Sequence, residues 1–303
     1  PGTGKTHFLA TAILALIRAR RAEGKPLRVL ITAFTHAAVE NVLRKLLELG
    51  GSDVPLAKGG RWAGGERPGG VKVVAAKTVP DWVGASEQCV LGGTVWAFDK
   101  HFGALDFDLV VVDEASQVRV PEASIAVSMV APQGRLVFAG DHLQLPPIVS
   151  GEYPEPEEDD VLLLHRSIFE LVCGLQGGRF QRALSENFRM NRTLTRVSSA
   201  LLYGPEYRCG TDAIAAQRLG YTPRDGHSGL VQACLDPARP MVVVLLSGLP
   251  SGKDSAAEAA LVAELTLALR EGGDWTDDAA FFSKGVFIVS PHHSQLHRIR
   301  RAL

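Results

Sequence analysis

The chain has 303 residues, of which 46% are hydrophobic and 21% charged, with a net charge of −1. That apolar content supports a full core and excludes a disordered chain. The near-neutral balance excludes a uniformly basic nucleic-acid binder, leaving room only for a local basic groove. Cys89, Cys173, Cys209 and Cys234 form no C-x-x-C pair, so a zinc or iron–sulfur site is not expected, and buried thiols in a reducing compartment are. No apolar run reaches the ~18 residues of a membrane span. No signal peptide opens the sequence, so a cytoplasmic protein is expected. The first residue, Pro1, falls inside a motif, and the chain reads as a fragment.

Residues 6–21 predict a helix, with Phe8, Leu9, Ala12, Ile13, Leu16 and Ile17 at helical spacing. A buried strand follows at 28–33 (RVLITA), then a helix at 37–49 carrying Val39, Val42, Leu43, Leu46 and Leu47. The glycine-crowded stretch 50–70 reads as a loop. Further buried strands are expected at 71–75, 89–92, 109–113 and 135–139. The acidic run 150–160 reads as a solvated loop, and 204–238 as an irregular insertion. Strands are expected again at 241–246 (MVVVLL) and 285–290 (GVFIVS), with helices at 256–270 and 293–303. This alternation predicts an α/β fold with mainly parallel sheets, in two units of about 1–176 and 177–303.

The opening PGTGKT is the end of a G-x-x-x-x-G-K-[ST] phosphate loop, followed at once by a helix. Gly2, Thr3 and Gly4 are placed to turn backbone N–H groups towards phosphates. Lys5 suits the β- and γ-phosphates of ATP, and the Thr6 hydroxyl suits Mg²⁺. At 109–117 the run LVVVDEASQ carries two acids at the end of a buried strand. Asp113 suits the Mg²⁺ shell and Glu114 a general base that orients the attacking water. In RLVFAGDHLQLPP (135–147), Gln144 is positioned to sense the γ-phosphate or the water, and Pro146 and Pro147 stiffen the exit.

The phosphate loop, D-E-A-S-Q and G-D-x-x-Q-L-P-P, in this order, resemble motifs I, II and III of superfamily 1 helicases, and the D-E-A form with the double proline resembles the 5′→3′ branch, superfamily 1B. Residues 31–43 (ITAFTHAAVENVL) are similar to motif Ia, usually T-N-x-A-V-D-N, with His36 and Glu40 replacing Asn and Asp. Thr35 and His36 are therefore candidate contacts to a nucleic-acid backbone. LGGTVW (91–96) is similar to the G-T element before motif II; Gly93 and Thr94 are candidate phosphate contacts, and Trp96 reads as a core residue rather than a base-stacking one. LSENFRMN (184–191) resembles motif IV, which makes Arg189 a candidate arginine finger. GVFIVSPHHSQ (285–295) resembles a later strand and offers Pro291 and His292 as nucleic-acid contacts, with Gln295 read as a helix residue.

The resemblance implies two RecA-like domains, the second incomplete, with ATP and Mg²⁺ between them and single-stranded DNA or RNA as track. The catalytic set it implies is Lys5, Glu114, Gln144 and Arg189. It also implies further domains outside these limits. Three other readings use part of the same pattern. A phosphate-loop ATPase that translocates or remodels nucleoprotein without unwinding needs all of it. A small-molecule kinase needs PGTGKT but neither LSENFRMN nor GDHLQLPP. A nucleotide-binding module without turnover is at odds with the intact Lys5, Thr6, Asp113, Glu114, Gln144 and Arg189.

Overall fold

The computed structural model describes residues 2–101, 104–149, 151–153, 163–224, 226–248 and 252–303. Pro1 of the phosphate loop and all of the acidic run except 151–153 lie outside the described residues. The chain divides into two compact units, 1–185 and 186–303.

The first unit opens with helix α1 (Lys5–Ala22), which buries Leu9, Ala10, Ile13, Leu14 and Ile17 along one stripe. Strand β1 (Leu27–Ala33) and helix α2 (His36–Glu48) follow. Next come β2 (Leu56–Gly59), β3 (Val71–Val74), α3 (Val79–Gly84), β4 (Gln88–Thr94) and β5 (Phe107–Asp113). The unit is completed by α4 (Val120–Val127), β6 (Val130–Phe138) and α5 (Ile168–Gly174). Among the described residues these six strands form one sheet in the order β3-β2-β4-β1-β5-β6, and every pairing is parallel.

Side chains on a strand alternate between faces, and here both faces are covered. Val29, Ile31, Ala33, Leu109 and Val111 pack with α1 and α2 on one side. Leu30, Leu91, Val110 and Val112 pack with α3, α4 and α5 on the other. This is why the strand sequences read as continuous apolar runs.

The expected loop at 50–70 is partly wrong, because it contains β2, all four residues of which are buried. LAKG offers no β-branched residue, and its Lys58 lies in the interior. The strand is secured instead by an ion pair between Lys58 Nζ and Glu40, both out of contact with water.

The second unit holds a short parallel pair, β7 (Glu186–Asn187) and β8 (Arg208–Cys209). Its helices are α6 (Arg192–Ser198), α7 (Asp212–Ala215), α8 (Gly229–Cys234), α9 (Ala256–Gly272), α10 (Asp278–Ala280) and α11 (His293–Ala302). The expected strands at 241–246 and 285–290 are not strands among the described residues. Both segments are apolar, but neither joins a ladder, and Leu245 is 88% and Phe287 91% exposed. Apolar composition does not make a strand without a neighbour to take its backbone hydrogen bonds.

Candidate functional site

The phosphate loop takes its shape from glycine. Gly2 (φ 72) and Gly4 (φ 76) lie in the left-handed region, which glycine adopts without a Cβ penalty. Gly4 caps α1 and accepts the first intrahelical bond, from Phe8 N–H at 2.8 Å. The N–H groups of the first turn have no intrahelical acceptor, and no acid in that turn neutralises their partial charge. Thr3, Lys5 and Thr6 stand at this end, each half-buried.

Asp113 ends β5 and is 3% exposed. Burial pushes its carboxyl up to about 6, and the nearby charge of Glu114 adds to this. The Glu114 N–H and the positive charge of Lys5 act in the opposite sense, so the phosphate loop and the acid pair share one site. Glu114 is the one described non-glycine residue with positive φ (48°). That conformation costs an L-residue about 1–2 kcal/mol and persists where its surroundings impose it. Here Glu114 N–H donates to Asp113 Oδ1 at 2.9 Å, and Ala115 N–H donates to Ala139 O at 2.8 Å.

The turn after β6 is tied to the same place. Asp141 N–H donates to Ser116 Oγ at 3.5 Å, and Gln144 Nε2 donates to Asp141 Oδ2 at 2.7 Å. Ser116 and Asp141 are structural partners that the sequence reading did not assign; the Ser of D-E-A-S-Q was the available signal. The Gln144 amide is thus tied, through Asp141, to Ser116, two residues after Glu114.

The candidate strand contacts share an edge with this site. The register pairs Ala33 with Thr94 on one side and with Asp113 on the other. Thr35 caps α2, its Oγ1 accepting from Ala38 N–H at 3.2 Å, which leaves its O–H proton to donate outward. His36 Nδ1 is buried with no hydrogen-bond partner. Burial, then Lys58 and Arg61, hold the imidazole below its usual range, so it is neutral at pH 7. Gly93 is buried, and a Cβ there would meet the Phe98 ring at 2.5 Å, so this glycine serves internal packing. Trp96 was expected in the core; it is 53% exposed, on the outer side of the 3₁₀ turn Val95–His101, whose Val95 and Phe98 take the inner side.

In the second unit, buried Asn187 sets the shape of the LSENFRMN turn. Its Oδ1 accepts from Arg189 and Met190 N–H, and its Nδ2 donates to Met190 O and Thr195 Oγ1. The Arg189 side chain is exposed and lines a cavity of about 470 Å³ with Asn191, Gln217, Arg218 and Arg239. Pro291 and His292 are exposed at the start of α11.

Residues 1–150 match the family model described as AAA domain. The DNA replication ATP-dependent helicase/nuclease DNA2 of Saccharomyces cerevisiae is 30% identical over 223 residues, covering 72% of this chain and 14% of the relative. The DNA replication ATP-dependent helicase/nuclease JHS1 of Arabidopsis thaliana is 25% identical over 312 residues, covering 100% of this chain and 22% of the relative. This chain is superfamily 1 helicase-like. It spans less than a quarter of the length of those two relatives. A solved structure titled "Complex structure of Arterivirus nonstructural protein 10 (helicase) with DNA" aligns over 75% of this chain and 44% of its own, with 16% identity and a TM-score of 0.43, too distant to add to the assignment.

As a superfamily 1 helicase-like chain it departs from the motif Ia pattern at two positions, and the structure accounts for one of them. Glu40, in place of Asp, takes Lys58 Nζ and the N–H groups of Ala63 (2.7 Å) and Gly64 (2.9 Å). Burial alone would raise its carboxyl, but these partners hold it below the usual range. Gln295 is more than the helix residue first expected. Its Oε1 accepts from Ser255 N–H at 2.7 Å and its Nε2 donates to Ser255 O at 3.3 Å, joining α11 to the start of α9.

Proposed function

We propose that this chain is the motor segment of an ATP-driven nucleic-acid helicase, which hydrolyses Mg-ATP to move along single-stranded DNA or RNA, 5′→3′ as in superfamily 1B. The observation that carries the reading is the junction of the phosphate loop, the strained Asp113–Glu114 pair and the Asp141–Gln144 turn at one sheet edge.

The residues fit the groups they are proposed to hold. A buried carboxylate under the charge of Lys5, with the hydroxyl of Thr6 next to that lysine at the helix start, supplies hard oxygen donors of the kind suited to Mg²⁺. When bound, that ion neutralises charge developing on the transferred phosphoryl group. Backbone N–H groups at the start of α1 and Lys5 hold the phosphates. Glu114 orients and deprotonates the attacking water, a role worth about 10²–10⁴ in rate. Gln144 contacts the water or the γ-phosphate and reports which nucleotide is bound. Arg189, carried by the second unit, is the proposed arginine finger. Thr35, His36 and Thr94 in the first unit, and Pro291 and His292 in the second, contact the strand.

The test is displacement of a labelled strand from a duplex by the full-length protein. ATP-dependent displacement supports the helicase. Hydrolysis without displacement favours a translocase that remodels nucleoprotein.

A further inference from the structure

The glycine-rich segment after β2 is a built element. Glu40 on α2 fastens it through Lys58, Ala63 and Gly64. A Cβ at Gly64 would meet Glu40 Oε2 at 2.9 Å, and Gly65 has φ +60, so the approach depends on these glycines. The Trp62 indole donates to Gly64 O at 2.9 Å, and the Arg44 guanidinium lies over its ring, 4.8 Å from the centroid. Arg44 also donates to the carbonyls of Gly64 and Glu66.

This fastened segment carries Arg61, which is exposed and has no carboxylate partner among the described residues. Its charge reaches His36, where it opposes protonation of the imidazole. The register pairs Lys58 with Gly92, so the chain beyond β2 and the chain beyond β4 leave the sheet side by side. Beyond β4 stands Trp96, an indole more than half exposed. An unpaired guanidinium and an exposed indole, each two residues past the end of one of two paired strands, suit one ligand, an unpaired nucleic-acid strand. Its phosphates are anionic and its bases offer π-faces, and neither contact requires a particular sequence.

Building on the helicase reading, we propose that Arg61 binds a backbone phosphate of the tracked strand and Trp96 stacks on one of its bases, with the Glu40 fastening as the device that positions Arg61. The pair extends the path begun by Thr35, His36 and Thr94. Because the segment is fastened before a strand arrives, little ordering cost is added on binding.

The experiment measures binding of fluorescein-labelled single-stranded oligothymidylate to the full-length protein across a salt series. Arg61→Gln is expected to weaken binding and to lower the slope of log K against log salt by about 0.7, the contribution of one single-strand phosphate contact. Trp96→Ala is expected to weaken binding by about tenfold or more, with Trp96→Phe recovering much of the loss. Lys72→Gln, which removes an exposed cation on β3, is expected to leave the slope unchanged. Wild-type affinity and slope in both Arg61→Gln and Trp96→Ala would overturn this inference alone. A wild-type protein that binds no strand would overturn it together with the helicase reading.

Discussion

Thr94 and Asp113 stand level with each other on either side of Ala33, which pairs with both. Neighbouring strands lie about 4.8 Å apart, so roughly 10 Å of sheet separates a candidate phosphate contact for the track from a candidate metal ligand for the fuel. A rigid sheet edge with a site at each end is a short physical route for coupling the two. Thr94→Val is expected to reduce the stimulation of ATP turnover by a strand several-fold while leaving turnover without a strand near its starting level. Equal stimulation in the two proteins would separate Thr94 from the coupling.

Glu114 offers a test that parts chemistry from strain. Glu114→Gln keeps the left-handed residue but removes the base, so turnover is expected to fall by about 10²–10⁴ with nucleotide still bound. Glu114→Gly is expected to lose turnover too, while raising stability by about 1 kcal/mol through relief of the backbone penalty. Stopped-assay kinetics and denaturant unfolding check the two halves. Turnover within a few-fold of wild type in Glu114→Gln would remove the residue from the chemistry.

The Asp113 carboxyl is raised to about 6 in the folded chain, from an ordinary 3.8. The folded state therefore holds the proton more tightly than the unfolded one. Stability is highest below about 4, declines as pH rises towards 6, and is lower by a constant amount above that. Asp113→Asn in magnesium-free protein removes this decline. At 1.36 kcal/mol per pKa unit, the variant is expected to be more stable at neutral pH by on the order of 2–3 kcal/mol, with the difference vanishing in acid. A difference that does not change with pH would contradict the assignment.

Glu40 and Lys58 form a pair with both side chains buried. Glu40→Ala leaves a cation without a partner in the interior and two N–H groups without an acceptor, a loss of about 3–5 kcal/mol. Glu40→Leu with Lys58→Met is expected to recover much of this, as replacement of a buried pair by apolar residues often does. Because the Glu40 carboxyl is held below its usual range, its contribution is present above the ordinary carboxylate range and is lost only as pH falls through the depressed value. Thermal melts of the single and double variants decide the matter, and equal destabilisation by both would show that the charge is not what counts.

The parts of the fold written in continuous apolar runs were legible from the residues. RVLITA and LVVVD form the central strands because both sheet faces are covered. The helix after PGTGKT follows from apolar spacing, although the stripe it buries includes Ala10 and Leu14 and leaves Phe8 exposed. LAKG at 56–59 was not legible as a strand, since its polar member is neutralised by a residue 18 positions earlier and local pattern carries no trace of that. MVVVLL and GVFIVS misled in the other direction, because apolar character marks readiness to pair but not the presence of a partner. Trp96 misled for a different reason: Val95 and Phe98 beside it are buried, and only the facing of the turn that carries all three tells which of them points outward. In the site, the candidate residues were nominated from motif spacing and from the family resemblance, whereas Ser116, Asp141 and Asn187, which shape the turns that carry them, became visible only from their hydrogen bonds.

The measurement that bears most directly on the central claim is ATP hydrolysis by the full-length protein at low salt, alone, with single-stranded DNA and with single-stranded RNA. Strong stimulation by one of the two is the predicted result, and it would also name the track. Steady hydrolysis unaffected by either would contradict a nucleic-acid motor and leave a phosphate-loop ATPase of another kind.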